Sequence, residues 1–176
     1  MTDTGEFAPE VRRIVTGHDL DHASIVVLDA PAPKRQGKDP LACATTVWAT
    51  QGTPDFRAAG DGASLATGLP PPVGGTRFGV LDLAPGREAP GRHRTDTIDY
   101  VVCVWGEVTL RLDHSEVVLR PGDTLVQRGT DHAWCNRGAE PARIAFVLLD
   151  ASAAVAGVDP VPVVGAEGRR RRVVRS

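Results

Sequence analysis

Three side chains between residues 92 and 136 are of types that carry chemistry in proteins: His93, Asp99 and His132. Imidazole and carboxylate groups bind divalent transition metals, and they also donate and accept protons in catalysis. Each of the three lies in a stretch whose composition predicts a β-strand. We therefore expect the three to form one site if the strands bring them together.

The spacing of the first two candidates places them on one face of a strand. Because successive side chains in a strand alternate between its faces, His93, Thr95 and Asp99 point the same way. The same face continues with the apolar residues Val101 and Cys103. Polar groups that face inward need partners, so this pattern predicts a metal, a bound ligand or mutual hydrogen bonds. The opposite face carries Arg94, Asp96 and Tyr100.

Turn residues indicate how the third candidate joins the first two. Gly106-Glu107 is typical of a hairpin between two strands, and Pro121-Gly122-Asp123 starts the strand that precedes His132. Gly129 permits the bend that orients His132. These signals predict one short antiparallel sheet that carries all three groups.

Short stretches with strand composition recur along the whole chain, and no stretch predicts a helix of ten residues or more. This pattern is typical of an all-β sandwich or barrel. Residues 51–75 are rich in Gly, Pro and Ala, and they predict a mobile flap over a pocket or a disordered loop. The predicted strands are Val11–Thr16, Ser24–Asp29, Thr45–Thr50, Arg77–Gly86, Val101–Trp105, Val108–Asp113, Glu116–Leu119, Thr124–Arg128 and Ala142–Asp150.

The stretch from residue 76 to 150 resembles the two sequence motifs of the cupin superfamily. The first family motif has the form Gly, spacer, His-x-His, Glu and Gly, and the second has Gly-Asp, Pro-x-Gly, His and Asn. Here the first motif spans 86–106, with Gly86, His93, Thr95, Asp99 and Gly106 in the matching places. The second spans 122–136, with Gly122, Asp123, Gln127, Gly129, His132 and Asn136. The resemblance implies a double-stranded β-helix, or jelly-roll barrel, with a pocket inside its mouth.

The chain departs from the family motifs at two site positions. Thr95 stands where the family has a second histidine, and Asp99 stands where it has a glutamate. The resemblance then implies a metal held by His93, Asp99 and His132, with open positions for substrate. Such a set suits iron, manganese, nickel or zinc as divalent ions. Asp99 is one methylene shorter than a glutamate, which reduces its reach towards a shared ion.

The resemblance implies an enzyme that acts on a small molecule, with His93, Thr95, Asp99 and His132 as its catalytic residues. A metal-dependent lyase or isomerase would act beside a carbonyl group of a small organic acid or of an aromatic or polyketide metabolite. One alternative is an iron dioxygenase. Others are a metal-free acid/base enzyme that uses His132 and Asp99, or a non-catalytic module that binds a small ligand.

Composition excludes some partners. The formal charge is −2, and without the five arginines at 169–172 and 175 it becomes −7 (−2 minus 5), so we expect no nucleic-acid partner. No run of about 18 apolar residues predicts a membrane span. The start MTDTGEFAPE is unlike a signal peptide, which favours the cytoplasm. Cys43, Cys103 and Cys135 are then expected to be reduced.

We divide the chain into a flexible leader at 1–10, one domain at 11–150 and a tail with a basic end at 151–176. A chain of 176 residues suits one domain with a real core. The resemblance implies a homodimer that pairs through strands before residue 50.

Overall fold

The protein is all-β. The computed structural model describes residues 9–36, 39–65, 68–88 and 91–151, which contain eleven strands and one short 3-10 helix, Gly62–Ser64. No helix in these ranges is both long enough and apolar enough to span a membrane. The strands are β1 (Arg12–His18), β2 (Ser24–Pro31), β3 (Lys34–Gln36), β4 (Ala42–Thr50), β5 (Thr76–Leu83), β6 (Thr97–Trp105), β7 (Val108–Arg111), β8 (Glu116–Leu119), β9 (Thr124–Arg128), β10 (Ala133–Cys135) and β11 (Ala142–Asp150).

The strands form three antiparallel sheets. The largest has the order β3-β4-β5-β11-β6-β9, the second has the order β10-β7-β8, and β1 and β2 form a separate hairpin. Alternation of buried and exposed residues is clearest in β6 and β11, the central strands next to the site. This alternation turns one face of the large sheet inward, as a half-buried antiparallel sheet requires.

The core lies between the large sheet and the three-stranded sheet. Apolar side chains of β5, β6 and β11 on one side meet those of β7, β8 and β10 on the other. The confirmed fold is therefore the predicted jelly-roll arrangement, in which two sheets close over an apolar interior. The core side chains are Leu83, Val101, Cys103, Val108, Leu110, Leu119, Trp134, Ala142, Ile144, Phe146 and Leu148.

The predicted hairpin at Gly106-Glu107 is wrong, because β6 and β7 belong to different sheets. Gly106 has a φ of +69°, and a Cβ there would lie 2.6 Å from the carbonyl oxygen of Pro141. The chain therefore crosses from one sheet to the other at a residue that only glycine fits. It follows that no single short sheet carries the three candidate groups. Asp99 lies on β6 of the large sheet, whereas His93 and His132, each expected within a strand, lie outside the named strands and pair only with each other.

The long segment between β4 and β5 is anchored to the barrel at two points. The buried guanidinium of Arg13 donates two hydrogen bonds to Asp61, at 2.6 and 2.7 Å. Arg77 donates to the carbonyl oxygen of Leu69 at 2.8 Å. The segment thus includes contacts that a disordered loop would lack, and it brings Leu69 to the wall of the main cavity.

Sequence patterns located most strands and missed β3, which lies in a stretch expected to be loop. Strand β4 also begins earlier than predicted, at Ala42. The predicted leader at 1–10 and tail at 151–176 lie almost entirely outside the described residues, so the three-part division of the chain stays a prediction.

Candidate active site

Asp99 lies at the inner end of a short relay of hydroxyl groups on and before β6. Its carboxylate accepts a hydrogen bond from Thr97 Oγ1 at 2.5 Å, and Thr97 Oγ1 lies 2.8 Å from Thr95 Oγ1. Because Thr97 gives its single proton to Asp99, Thr95 must donate to Thr97. Thr95, which takes the place of a histidine in the motif, therefore belongs to the hydrogen-bond network that supports the carboxylate.

The two candidate histidines face each other across a backbone pair. His93 N–H donates to the carbonyl oxygen of His132 at 2.9 Å, and His132 N–H donates back at 3.0 Å. Directly opposed residues of an antiparallel pair project to the same side, so the imidazole rings meet, with centroids 4.3 Å apart. His132 is buried and His93 half-buried, so His93 lies nearer to solvent.

Asn136 fixes the backbone of the segment that follows His132. Its buried amide donates to the carbonyl oxygens of Leu83 and Glu140 at 3.1 and 2.8 Å, and its oxygen accepts from Gly138 N–H at 3.0 Å. Asn136 N–H also donates to the carbonyl oxygen of Arg87 at 2.9 Å. The last residue of the second motif is thus structural: it holds the segment that carries His132 in place.

One cavity of about 160 Å³ contains all four predicted site residues at its wall. His93, Thr95, Asp99 and His132 contribute polar groups, together with Arg87, whereas the rest of the wall is apolar. A cavity of about 150 Å³ is large enough for a benzene ring. The cavity is therefore large enough for one ring. The apolar wall consists of Ala42, Ala44, Leu69, Leu81, Gly91, Val101, Trp134, Ile144, Phe146 and Leu148.

Burial shifts the pKa of each of the three titratable groups at the site. Loss of water lowers the pKa of His132, and it lowers the pKa of His93, which the neighbouring His132 lowers further. Burial raises the pKa of Asp99, although the Thr97 hydrogen bond and the nearby His93 oppose that rise. Each shift favours the uncharged form. The imidazoles are therefore neutral near pH 7 and available as bases.

A hydrogen-bond partner identifies the protonated nitrogen of His132. Its Nδ1 lies 2.9 Å from the carbonyl oxygen of Thr130. A carbonyl oxygen only accepts, so Nδ1 carries the hydrogen and Nε2 keeps its lone pair. The ring edge of His132 packs against Trp134, with centroids 5.8 Å apart. These contacts hold the imidazole with a defined orientation.

The side chains do not form a ready three-ligand metal centre. Within the described ranges, no group of three or more His, Cys, Asp or Glu side chains is arranged to hold a metal ion. Two neighbouring imidazoles are suitable donors, but Asp99 does not complete a set with them. The metal at His93, Asp99 and His132 therefore stays a prediction.

The structure also locates the residues to which sequence reasoning gave no firm role. Thr97 and Arg87 belong to the site and were missed, although the alternation of faces already put Thr97 beside Asp99. Tyr100 is exposed and takes no part, as its face predicts. Cys103 faces inward but lies in the core, where burial raises the pKa of its thiol. His18, His22 and His114 are exposed, as expected, although His18 is the last residue of β1 and not part of a turn.

Comparisons with known proteins agree with the motifs. A family model described as a cupin domain matches residues 79–148. Phomopsin biosynthesis cluster protein C' of Diaporthe leptostromiformis is 38% identical over 158 residues, which cover 82% of each chain. Cupin-domain-containing oxidoreductase fogC of Aspergillus ruber is 34% identical over 80% of this chain and 72% of its own. Tetracenomycin polyketide synthase protein TcmJ of Streptomyces glaucescens is 30% identical over 65% of this chain and 78% of its own.

Proposed function

The chain belongs to the cupin superfamily, and on that premise we propose that it is a biosynthetic enzyme that moves a proton beside a carbonyl group of a small, ring-sized metabolite. The observation that carries this proposal is the cavity wall, where His93, His132 and Asp99 lie with Thr95 and Arg87 among otherwise apolar residues. Neutral imidazoles at such a place are suited to take a proton from carbon.

Each site residue has a role in the proposed reaction that follows from its position. His132 Nε2 is the base: it takes the proton from a carbon next to the carbonyl group, and the C–H electron pair becomes part of an enolate. His93 lies beside the base, with the ring centroids 4.3 Å apart, and borders the same reacting group. Asp99 favours positive charge on His93, the imidazole with which it interacts electrostatically. Return of the proton to a different atom of the substrate completes an isomerisation. In a dehydration the proton goes instead to a departing hydroxyl group, which leaves as water.

The substrate class follows from the cavity and from the relatives. The cavity volume of about 160 Å³ accommodates one ring, and the wall is largely apolar. One relative bears the name of a phomopsin biosynthesis cluster and another that of a polyketide synthase. We therefore propose an aromatic or polyketide metabolite as substrate. A cytoplasmic location and a homodimer without nucleic-acid partners remain predictions from the sequence.

A second candidate is an oxidoreductase, which the name of the Aspergillus relative favours. Such a reaction needs a metal or a redox cofactor. Of the metals predicted at His93, Asp99 and His132, iron, manganese or nickel could change oxidation state, whereas zinc could not. The two candidates differ in their products, since proton transfer conserves the oxidation state of the substrate and oxidation does not.

A deuterium-exchange experiment tests the proposal. A panel of 1,3-diketones and hydroxylated aromatic ketones with one to three rings is first screened for binding by thermal shift. Compounds that bind are incubated with the protein in D2O, and deuterium uptake beside the carbonyl group is followed by NMR. We expect wild-type protein to accelerate the exchange. The variant His132→Asn should lose this acceleration by about 100-fold or more.

The exposed His114 supplies the matched control, because His114→Asn removes an imidazole that does not line the cavity and should leave exchange unchanged. Binding without exchange would make the protein a binding module and overturn the proposal. A product that gains oxygen or loses two hydrogens would support the oxidoreductase instead. Absence of both binding and exchange across the panel would reject the proposed substrate class.

A further inference from the structure

We propose that Gln127 is a positioning residue that holds the proton of His132 on Nδ1. It thereby keeps Nε2, on the cavity side of the ring, unprotonated. This inference rests on the proposed role of His132 as the base. Gln127 lies on β9, is only 4% exposed, and contacts His132 Nδ1 with its amide. In the second motif it stands where the family has proline, which has no side-chain group that can hydrogen-bond.

The strand register places Gln127 within the site. Gln127 is directly opposite Asp99 in the β6–β9 pair, so the two side chains lie on the same face of the large sheet. Asp99, Gln127 and His132 are all buried. The amide therefore belongs to the wall of polar groups behind the cavity, where water cannot serve as a substitute partner.

A count of hydrogens fixes the orientation of the amide. His132 Nδ1 already carries a hydrogen, because its neighbour at 2.9 Å is the carbonyl oxygen of Thr130. An amide nitrogen is also only a donor, so Gln127 Nε2 against Nδ1–H would be a repulsive contact. Meanwhile Gln127 Oε1 is buried without a hydrogen-bond partner. Turning the amide by half a turn about its last bond removes the repulsion and gives Oε1 a donor.

With that orientation, His132 Nδ1–H is shared between two acceptors, Thr130 O and Gln127 Oε1. If the hydrogen were on Nε2 instead, both oxygens would lose their donor. Nε2 could then no longer accept a proton from the substrate. Leaving the buried Gln127 Oε1 without a donor is unfavourable, because burial keeps water from taking the donor's place. Gln127 thus acts through His132 and need not touch the substrate.

The test measures the tautomer directly and needs no substrate. Protein labelled with 15N in histidine is studied by long-range 1H–15N correlation spectra, in EDTA and at a pH where the imidazoles are neutral. His132→Asn identifies the His132 signals by their loss. We expect wild-type His132 to be protonated at Nδ1. The variant Gln127→Leu should show an increased Nε2–H population, whereas Gln127→Glu, which keeps an acceptor, should retain the Nδ1–H form.

Gln51, an exposed glutamine, supplies the matched control Gln51→Leu, which should leave the His132 signals unchanged. Wild-type His132 protonated at Nε2 would overturn the inference, and so would an unaltered tautomer in folded Gln127→Leu. The wild-type spectrum decides the first point even if that variant does not fold. Failure of the exchange assay with a confirmed Nδ1–H tautomer would reject the proposed reaction and leave the role of Gln127 intact.

Discussion

Thr97 donates its hydroxyl hydrogen to the carboxylate of Asp99 at 2.5 Å, and both side chains are almost fully buried. This contact makes Asp99 the end of a relay that begins at Thr95. A hydrogen bond to an ionised group stabilises the charged form, so the relay opposes the effect of burial on the pKa of Asp99.

Replacement of Thr97 by valine should break the relay while keeping the shape of the side chain. We expect Thr97→Val to raise the pKa of Asp99 further and to lower the free energy of unfolding by about 1–3 kcal/mol. Carboxyl 13C titration by NMR and urea unfolding measure the two effects. Thr124→Val, at an exposed position on β9, should change neither. An unaltered Asp99 titration would show that the relay does not support the carboxylate.

Asp99→Asn should separate function from stability. Burial raises the pKa of Asp99, so the native state binds more protons at this group than the unfolded state does. Its ionisation therefore lowers stability as pH rises above the ordinary value of 3.8, and the neutral asparagine avoids that loss. We expect the variant to be at least as stable as wild type at pH 7 and to lose deuterium exchange by about 100-fold. Thermal unfolding and the exchange assay check this, with the exposed Asp21→Asn as control.

The histidine pair should give stability the opposite dependence on pH. Burial lowers the pKa of both His93 and His132, so the unfolded state binds more protons at these groups. The contribution of these two groups to the free energy of unfolding is therefore fully present above pH 6.5, the ordinary pKa of an imidazole. It is lost as the pH falls below that value. We expect urea midpoints to fall between pH 7 and pH 5 more steeply in wild type than in His132→Asn. Equal slopes in the two proteins would contradict the assignment, and His114→Asn should match wild type.

Metal content separates the proposed reaction from its alternative. If the imidazoles act without a metal, treatment with EDTA should leave deuterium exchange unchanged. Protein prepared without a histidine tag is analysed by elemental analysis and assayed before and after chelation. One iron, manganese, nickel or zinc per chain, lost in both His93→Ala and His132→Ala, would instead establish the metal centre that the motifs imply. Restoration of activity by that metal alone would complete the case for it.

The oligomeric state can be tested on two exposed apolar surfaces. The hairpin of β1 and β2 exposes Ile14 and Val26, as dimerisation through N-terminal strands would require. We expect sedimentation to give twice the chain mass of 18.6 kDa and Val26→Lys to halve it. The outer face of the large sheet also exposes Tyr100 and Val126, which are paired across β6 and β9. If Val126→Lys alone dissociates the dimer, that face is the interface, and a monomeric wild type would reject dimerisation.

The residues of β6 that face inward were predictable from the sequence, because successive side chains of a strand alternate between its two faces. Thr97, Asp99, Val101 and Cys103 are all buried, as period-two spacing requires. The turn signals and the resemblance to two linked motifs then predicted that His132 joins the same site, and it does line the same cavity. The direction in which the Gln127 side chain points was not predicted, although a glutamine in place of the motif's proline was a usable signal.

Local patterns failed where distant parts of the chain decide the structure. The bend at Gly106 looks like a hairpin turn in sequence, but its conformation is set by the approach of Pro141 and Ala142 from β11 and the loop before it. Arg87 had no chemical signal either, since its place at the cavity depends on pairing with Asp39 and with the segment around Trp134. Such contacts have no periodicity to detect.

The backbone pairs Arg87–Asn136 and His93–His132 flank the strand Ala133–Cys135. Because main-chain atoms make both pairs, they do not depend on which side chains stand between them. For an engineer, Trp134, which lies between the two pairs and lines the cavity, is a position where the cavity wall could be reshaped while the imidazoles keep their mutual geometry.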